Sequence, residues 1–290
     1  METIELYSYE NMENLFSYTS MQFDIVRHIL TLGVGAMAAA LVYFLATAKD
    51  VSPKYRLSNW LSAVVMVSAA LILFNQQMVW TSAFNWNGAL WELGDKTFSN
   101  GYRYVNWSID VPMLLTQLLI VLGVTGKAFN KKFVGFTVGG LLMIWTGYIG
   151  QFYEVIDIPN LLIWGAISTV FMVYICYLVG MSIFKNLYTQ PKEVQGRIKA
   201  IFWVLIISWT LYPLAYLVPW FAPTEWGMVA RQIMFTTADI VSKVIYGIIL
   251  GQIATIKSAK EGYGMAMNTL QYKENNHGER VKQNGDGVYI

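Results

Sequence analysis

Seven long apolar segments constrain the fold of this 290-residue chain more than any other feature of its sequence. Each is long enough for an α-helix to cross the hydrocarbon layer of a bilayer, which takes about 20 residues. They lie at residues 22–48, 57–79, 104–126, 132–155, 160–186, 196–219 and 228–256. Only 13% of the residues are charged, whereas soluble domains average about 25%. The sequence therefore predicts an all-α membrane protein, a bundle of seven transmembrane helices in a lipid bilayer.

Basic residues predict the orientation of this bundle. Lys and Arg gather in the connections after the first, third and fifth segments, and acidic residues gather on the opposite side. By the positive-inside rule the N-terminus lies outside and the C-terminus lies in the cytoplasm. We expect an N-terminal extracellular cap at 1–20 with a short helix at 11–16, a seven-helix domain at 21–257 and a flexible cytoplasmic tail at 258–290. The Trp, Asn and Gly content of the outer connection, residues 80–103, favours a hairpin.

The seventh segment contains a lysine, Lys243, within a mostly apolar run. Asp239 precedes it by four residues, so both side chains share one helical face with about 6 Å of rise between them. Charged residues inside a membrane are costly and usually mark functional sites. A neutralised structural ion pair is the alternative that these two residues alone leave open.

The third segment carries a column of polar residues. Asn106, Asp110 and Gln117 are spaced four and seven residues apart, and Arg103 lies on the same face, about 10 Å outward from Asp110. Such a column must face the bundle interior or water. Hydrogen bonding between helices would account for an Asn or a Gln, but it accounts poorly for an Asp in the middle of a membrane. Further polar residues converge on the level of Lys243: Ser58, Asn59, Ser62, Ser68, Glu154 and Arg231. The pattern indicates an ion path that is interrupted at the lysine.

Aromatic residues gather at the same depth, namely Trp107, Trp164, Trp209 and Tyr212. Aromatic residues at helical spacing usually form only core packing. Beside a central lysine they also suit a long, flat polyene that is bound covalently as a Schiff base. A protonated Schiff base needs an anion nearby, and Asp110 and Asp239 are the two candidates.

These features together resemble the microbial rhodopsins over residues 20–257. The resemblance is carried by the seven segments, by Arg103-Tyr104, by the Asp239-x-x-x-Lys243 spacing and by Trp209-x-x-Tyr212-Pro213. Asn106, Asp110 and Gln117 resemble the three-residue signature of the light-driven sodium pumps named for the letters N-D-Q. The surrounding stretches 101–104, 109–113, 147–154 and 242–247 are similar to that subfamily as well.

The resemblance implies a retinal site. Lys243 would bind all-trans-retinal covalently as a Schiff base. Trp107, Trp209 and Tyr212 would sandwich the polyene, and Trp164, Met143 and Gly147 would surround its ring. Asp110 would be the counterion and proton acceptor, with Asp239 as a second carboxylate.

It also implies an ion path and partners. Asn106 and Ser68 match gate positions; Asn59, Ser62 and Gly251 match the cytoplasmic entrance; Arg103, Gln151, Glu154 and Arg231 match the exit route. His28 and Asp95 match positions that meet across protomers in pentameric members, so a homo-oligomer is expected. A glycine at the position of Gly165 admits a carotenoid antenna in some relatives, and a plain packing glycine is the alternative here.

The expected function is a light-driven outward sodium pump in the plasma membrane of a prokaryote, an ion transporter rather than an enzyme. Sodium would pass while the Schiff base is neutral, with transient oxygen ligands near Asn106, Asp110 and Asp239. An outward proton pump is the alternative within the fold, and this activity is also expected without sodium. A photosensor is disfavoured by the short tail, and a light-independent proton-coupled transporter is the remaining alternative. The net charge of +2, without a basic cluster, argues against nucleic-acid binding.

Overall fold

The structure, a computed structural model, describes residues 11–276. Residues 1–10 of the predicted cap and 277–290 of the predicted tail lie outside this range. Seven helices within it are long and apolar enough to cross a membrane, which confirms the predicted bundle. They are α1 (Ser20–Thr47), α2 (Pro53–Ala83), α3 (Gly101–Leu122), α4 (Gly126–Gln151), α5 (Ile158–Asn186), α6 (Lys192–Phe221) and α7 (Glu225–Lys260). The inside–outside orientation stays a prediction, and "inner" below means the predicted cytoplasmic side.

Helix α7 is interrupted in the middle by a π-helical turn. Regular α-helix runs over Glu225–Asp239, the π turn over Ile240–Ile245, and α-helix again over Tyr246–Lys260. Single π turns within α-helices are often found at functional sites. This turn contains Lys243 and directly follows Asp239, so the helix is locally wider where its two central charged residues lie.

The outer connection forms the predicted hairpin. Strands β1 (Phe84–Trp86) and β2 (Trp91–Leu93) pair antiparallel, and an isolated bridge joins Tyr18 to Trp91. Residues Met12–Leu15 form a 3-10 helix where a short helix is expected, and three of those four residues are buried. The hairpin therefore holds the N-terminal segment against the outer end of the bundle.

The interior of the bundle is closely packed, and its periphery is apolar. Large side chains such as Phe44, Trp80 and Tyr246 are fully buried. Many Leu, Val, Ile and Trp side chains on the outward faces are exposed, as on Val42, Leu71 and Trp203. A bilayer supplies the apolar surroundings that these faces require, because water is absent from its core.

The inner end differs from the sequence expectation. A flexible tail is predicted from 258, but α7 continues past that point and a further helix, α8, spans Gly264–Asn276. Tertiary contacts hold the connection: Tyr263 Oη accepts a hydrogen bond from Arg56 at 2.9 Å, and the Glu261 carboxylate binds basic and phenolic groups of α2. The polar composition of this region does not reveal those contacts, because they join residues more than 200 positions apart.

Candidate functional site

Lys243 lies in the centre of the bundle with only 1% of its surface exposed. Its Nζ is 2.5 Å from Asp239 Oδ1 and 3.3 Å from Asp110 Oδ2, and it donates a hydrogen bond to Asn106 Oδ1 at 3.1 Å. Helices α3 and α7 thus bring together the lysine, both carboxylates and the amide that the sequence pattern singles out. Arg103 completes a set that we call the central cluster (Arg103, Asp110, Asp239 and Lys243).

The two carboxylates of the central cluster have different surroundings. Asp239 accepts four hydrogen bonds. Its donors are Trp107 Nε1 at 3.0 Å, Tyr212 Oη at 2.8 Å, Arg103 Nη1 at 3.2 Å and Lys243 Nζ at 2.5 Å. The oxygens of Asp110 accept none from the described residues, although Asp110 is fully buried. Donors to a carboxylate stabilise its ionised form. The charge of Asp110 therefore has much less support than that of Asp239.

Polar groups continue from the central cluster toward the inner side. Asn106 donates its amide to Ser68 Oγ at 2.8 Å, and Ser62 donates to Gln117 Oε1 at 3.0 Å. Further inward, a Cβ on Gly251 would lie 3.7 Å from Asn59 Oδ1, so a larger side chain there would narrow the space beside that amide. The column predicted from α2, α3 and α7 is thus a set of neighbouring side chains.

Toward the outer side, hydrogen bonds lead from Arg103 to a buried ion-pair group. Arg103 Nη2 donates to Gln232 Oε1 at 3.1 Å, and Gln232 Nε2 donates to Glu13 Oε1 at 2.7 Å. Arg231 pairs with Glu154 at 2.6 Å and with Glu13 at 3.1 Å, and all three residues have 0% exposure. We call Glu13, Glu154 and Arg231 the outer cluster. It carries one positive and two negative charges when all three residues are ionised.

Glu13 and Gln232 are site residues that the sequence pattern did not predict. Glu13 lies in the short N-terminal helix, and no local signal shows that it reaches Arg231, which is 218 positions away. Gln232 had a usable signal, because it precedes Asp239 by seven residues and so lies on the same helical face.

Gln151, a predicted exit residue, is buried beside the outer cluster. Neither atom of its side-chain amide has a hydrogen-bond partner among the described residues. It lines a small cavity of about 10 Å³ together with Asn11 and Tyr148. That volume matches about one water molecule, which would supply the missing partners.

A cavity of about 390 Å³ adjoins Lys243 and extends between α3, α4, α5 and α6. Its size falls in the range of small-molecule sites, about 300–1,000 Å³. Residues on its wall include Trp107, Met143, Gly147, Trp209 and Tyr212, all of them predicted for the chromophore site. The cavity reaches a buried amine and is walled by aromatic rings, so it fits a flat polyene attached at Nζ.

Trp164 does not line this cavity, contrary to the sequence prediction. Its side chain lies beside α4, where a Cβ on Gly150 would come within 2.8 Å of Trp164 Cβ. Ser168, four residues later on the same face of α5, lines the cavity instead. Trp164 therefore packs against α4 beside Gly150, while Leu162 and Gly165 on either side of it along α5 line the cavity.

Gly165 lines the cavity and packs against an aromatic ring. A Cβ on Gly165 would lie 2.6 Å from the ring of Tyr216, whose hydroxyl donates to the carbonyl of Leu161. The ring fills the space that the glycine leaves. This geometry favours the packing interpretation of Gly165 over the carotenoid antenna.

His28 and Asp95, the two predicted interface residues, are both exposed at the surface. Exposure leaves them accessible to a neighbouring protomer without identifying one. The pentamer stays a prediction from the family resemblance.

Comparisons with known proteins agree on one family. A family model described as bacteriorhodopsin-like protein matches residues 24–257. The green-light absorbing proteorhodopsin of gamma-proteobacterium EBAC31A08 is 24% identical over 242 residues, which cover 83% of this chain and 88% of that protein. The crystal structure of thermophilic rhodopsin matches with a TM-score of 0.80 at 29% identity, covering 85% of this chain and 98% of that one. Xanthorhodopsin, described as a light-driven ion pump with dual chromophore, matches with a TM-score of 0.79 at 29% identity over 86% of this chain and 99% of that one.

Proposed function

The chain belongs to the bacteriorhodopsin-like family of microbial rhodopsins, and we propose that within this family it is a light-driven outward sodium pump. Membership implies a retinal chromophore bound as a Schiff base and a multi-pass protein of a prokaryotic plasma membrane. The observation that carries the sodium proposal is the composition of the polar column. Asp110 lies 3.3 Å from Lys243 Nζ and accepts no hydrogen bond from the residues that the structure describes, and the next column residue inward is the amide Gln117 rather than a carboxylate.

Lys243 and the cavity residues would hold the chromophore. Bound at Nζ, all-trans-retinal would supply a light-driven change of shape next to the central cluster. Trp107 and Tyr212, whose ring centroids are 4.8 Å apart, would fix one wall of the site, and both donate hydrogen bonds to Asp239. The residues that bind the polyene thereby also fix the anion beside Nζ.

A positive charge on Lys243 Nζ blocks a cation path. Two unit charges 4 Å apart repel by about 4 kcal/mol at an effective dielectric constant of 20, which is about a thousandfold in occupancy. Transfer of the Nζ proton to Asp110 neutralises both groups and removes this repulsion. Asp110 is the better acceptor, because Arg103, Trp107 and Tyr212 still stabilise the charge of Asp239 when Nζ has lost its proton.

Asp239 remains an anion in this scheme and attracts the passing ion. Its Oδ1 and the Oδ1 of Asn106 both face Nζ, and oxygen atoms are the ligands that hard cations prefer. Sodium would therefore contact these oxygens transiently while Nζ is neutral.

Return of the proton completes the cycle. Gln117 has no acidic proton to give, and its carbonyl oxygen is occupied by Ser62. Nζ therefore regains its proton from Asp110, and no proton has to cross the membrane. The restored charge prevents sodium from moving back.

A second candidate, outward proton pumping, has its own supporting observation. Hydrogen bonds run from Asp239 through Arg103 and Gln232 to Glu13 in the outer cluster. A proton that moves from Asp110 to Asp239, both of which contact Lys243 Nζ, would then have a connected polar route outward. We expect this activity when sodium is absent.

Light-driven pH traces of cells that express the protein separate the two functions. In NaCl, sodium export should draw protons inward passively, so the medium should become more alkaline, and a protonophore should enhance the change. In KCl, proton export should acidify the medium, and the protonophore should abolish the change. Abolition by the protonophore in NaCl as well would overturn the sodium proposal. Cells expressing Lys243→Ala, which cannot form the Schiff base, are the control for effects of light alone.

A further inference from the structure

Lys257 is a second buried lysine on α7, and the proposed mechanism does not use it. It follows Lys243 by 14 residues, which places it about 21 Å further inward along the helix axis. Both lysines lie on the interior face, because the Nζ of each donates a hydrogen bond to α3, that of Lys243 to Asn106 and that of Lys257 to the carbonyl of Val121. Only 5% of the surface of Lys257 is exposed.

The ammonium of Lys257 joins the inner ends of several elements. Nζ donates to the carbonyl of Val121 at 2.6 Å and to Gln190 Oε1 at 2.7 Å, and it lies 4.7 Å from the centre of the Tyr55 ring. Gln190, in the α5–α6 connection, also donates to the carbonyl of Leu122 at 3.1 Å. The last carbonyls of a helix lack amide partners, and a cation is favourable there.

In the described part of the chain, no carboxylate oxygen lies within 4.0 Å of the Lys257 Nζ. The nearest acidic residue along the chain is Glu261, directly after the end of α7, and its carboxylate binds Lys54 at 2.8 Å and the hydroxyl of Tyr55 at 2.6 Å. Burying an ammonium is costly, and a neutral hydrogen-bond donor would also satisfy the carbonyl that Lys257 binds. The charge itself therefore needs an explanation.

The position of Lys257 on the polar column offers an explanation for its charge. Tyr55 precedes Asn59 by one helical turn of α2, and Asn59 faces Gly251 on α7. Lys257 contacts the Tyr55 ring, so its ammonium occupies the layer directly inward of the Asn59–Gly251 pair. A cation that enters along this column from the inner side would pass this buried positive charge before it reaches the Asn59–Gly251 pair.

We propose that the buried positive charge of Lys257 is a barrier that repels cations at the inner end of the path. This charge would set the sodium concentration that is needed for uptake. This inference rests on the proposed sodium transport. A fixed charge near the entrance raises the energy of an approaching cation without contacting Nζ of Lys243. Its removal should therefore change the sodium dependence of transport rather than the colour of the pigment.

The test uses the full chain with its chromophore, reconstituted in liposomes, and measures light-driven transport against sodium concentration on the inner side. Lys257→Met should lower the half-saturating sodium concentration by about fivefold, as expected for one charge removed within about 10 Å of the path. Lys257→Arg keeps the charge and should restore the wild-type value. Lys260→Met removes an exposed charge on the same helix, paired with Glu193, and should have no effect. Gln190→Leu disrupts the same hydrogen bonds without changing the charge and should also leave the half-saturating concentration unchanged.

An unchanged half-saturating concentration in Lys257→Met would overturn the barrier. So would the same shift in Lys260→Met, which would indicate a general surface-charge effect, or in Gln190→Leu, which would indicate helix capping. In all three cases sodium transport by the wild type would still stand. If the wild type transports only protons in the liposome assay, the proposed sodium transport is wrong, and the role of Lys257 that depends on it is wrong as well.

Discussion

The two carboxylates beside Lys243 provide a matched pair of substitutions. Asp110→Asn and Asp239→Asn make the same chemical change, and each shifts the formal charge of the central cluster from 0 to +1, because two cations then face one anion. The loss of charge is therefore similar in both variants. What differs is the number of donors around the altered group.

The expected difference in stability follows from those donors. Asp239 accepts four hydrogen bonds and Asp110 accepts none from the described residues. An asparagine keeps one oxygen but presents an NH₂ group in place of the other, so at least one donor loses its acceptor. A hydrogen bond to a charged group contributes about 1.5–3 kcal/mol, and breaking a buried ion pair costs about 3–5 kcal/mol. We expect Asp239→Asn to destabilise the pigment by about 3 kcal/mol more than Asp110→Asn, which is about a hundredfold in an equilibrium constant.

Thermal bleaching of the purified pigments measures this difference. Both variants lose an ion-pair partner of Lys243, and Asp239→Asn should bleach much faster than Asp110→Asn at the same temperature. In transport assays Asp110→Asn should be inactive, because Nζ has lost its proton acceptor. Equal bleaching rates would refute the role of the donors around Asp239. Normal transport by Asp110→Asn would refute the assignment of the proton acceptor.

Three further substitutions test other parts of the site. Lys243→Ala should remain folded by circular dichroism but give no visible colour with retinal, and a coloured variant would rule out this lysine as the attachment point. Gln117→Asp replaces the amide bound to Ser62 by a carboxylate, and flash photolysis should show faster return of the proton to Nζ; an unchanged photocycle would count against the role of the amide. Glu154→Gln removes the 2.6 Å ion pair with the fully buried Arg231 and should cost about 3 kcal/mol, measured as faster thermal denaturation; wild-type stability would contradict the importance of that pair.

Features set by spacing along a single helix were predictable from the sequence. The burial of Arg103, Asn106, Asp110 and Gln117 on one face of α3 follows from the 3.6-residue period and from the cost of exposing such groups to lipid. The seven helices follow from the length of the apolar segments. Neither conclusion depends on how the helices pack against one another.

Features set by packing were not predictable in the same way. The contacts of Trp164 depend on how α5 packs against α4, and its side chain lies beside Gly150 rather than on the cavity wall. The partners of Glu13 depend on a segment that lies across the outer end of the bundle. The contacts of Lys257 depend on a connection 67 positions away. In each case the local sequence gives the residue type but not its neighbour.

The buried charges of the described residues are ordered along the path. All of them belong to the outer cluster, the central cluster or Lys257, with formal charges of −1, 0 and +1. Moving the proton from Nζ to Asp110 leaves the central total at 0, because one positive and one negative charge disappear together. The repulsion between Nζ and a passing cation is therefore removed, while the charges of the outer cluster and of Lys257 stay the same. In the predicted orientation the flanking charges lower the energy of a cation toward the outside throughout the cycle. The protonation state of the central cluster would then determine when a cation passes. The outer cluster and Lys257 would favour its exit toward the outside.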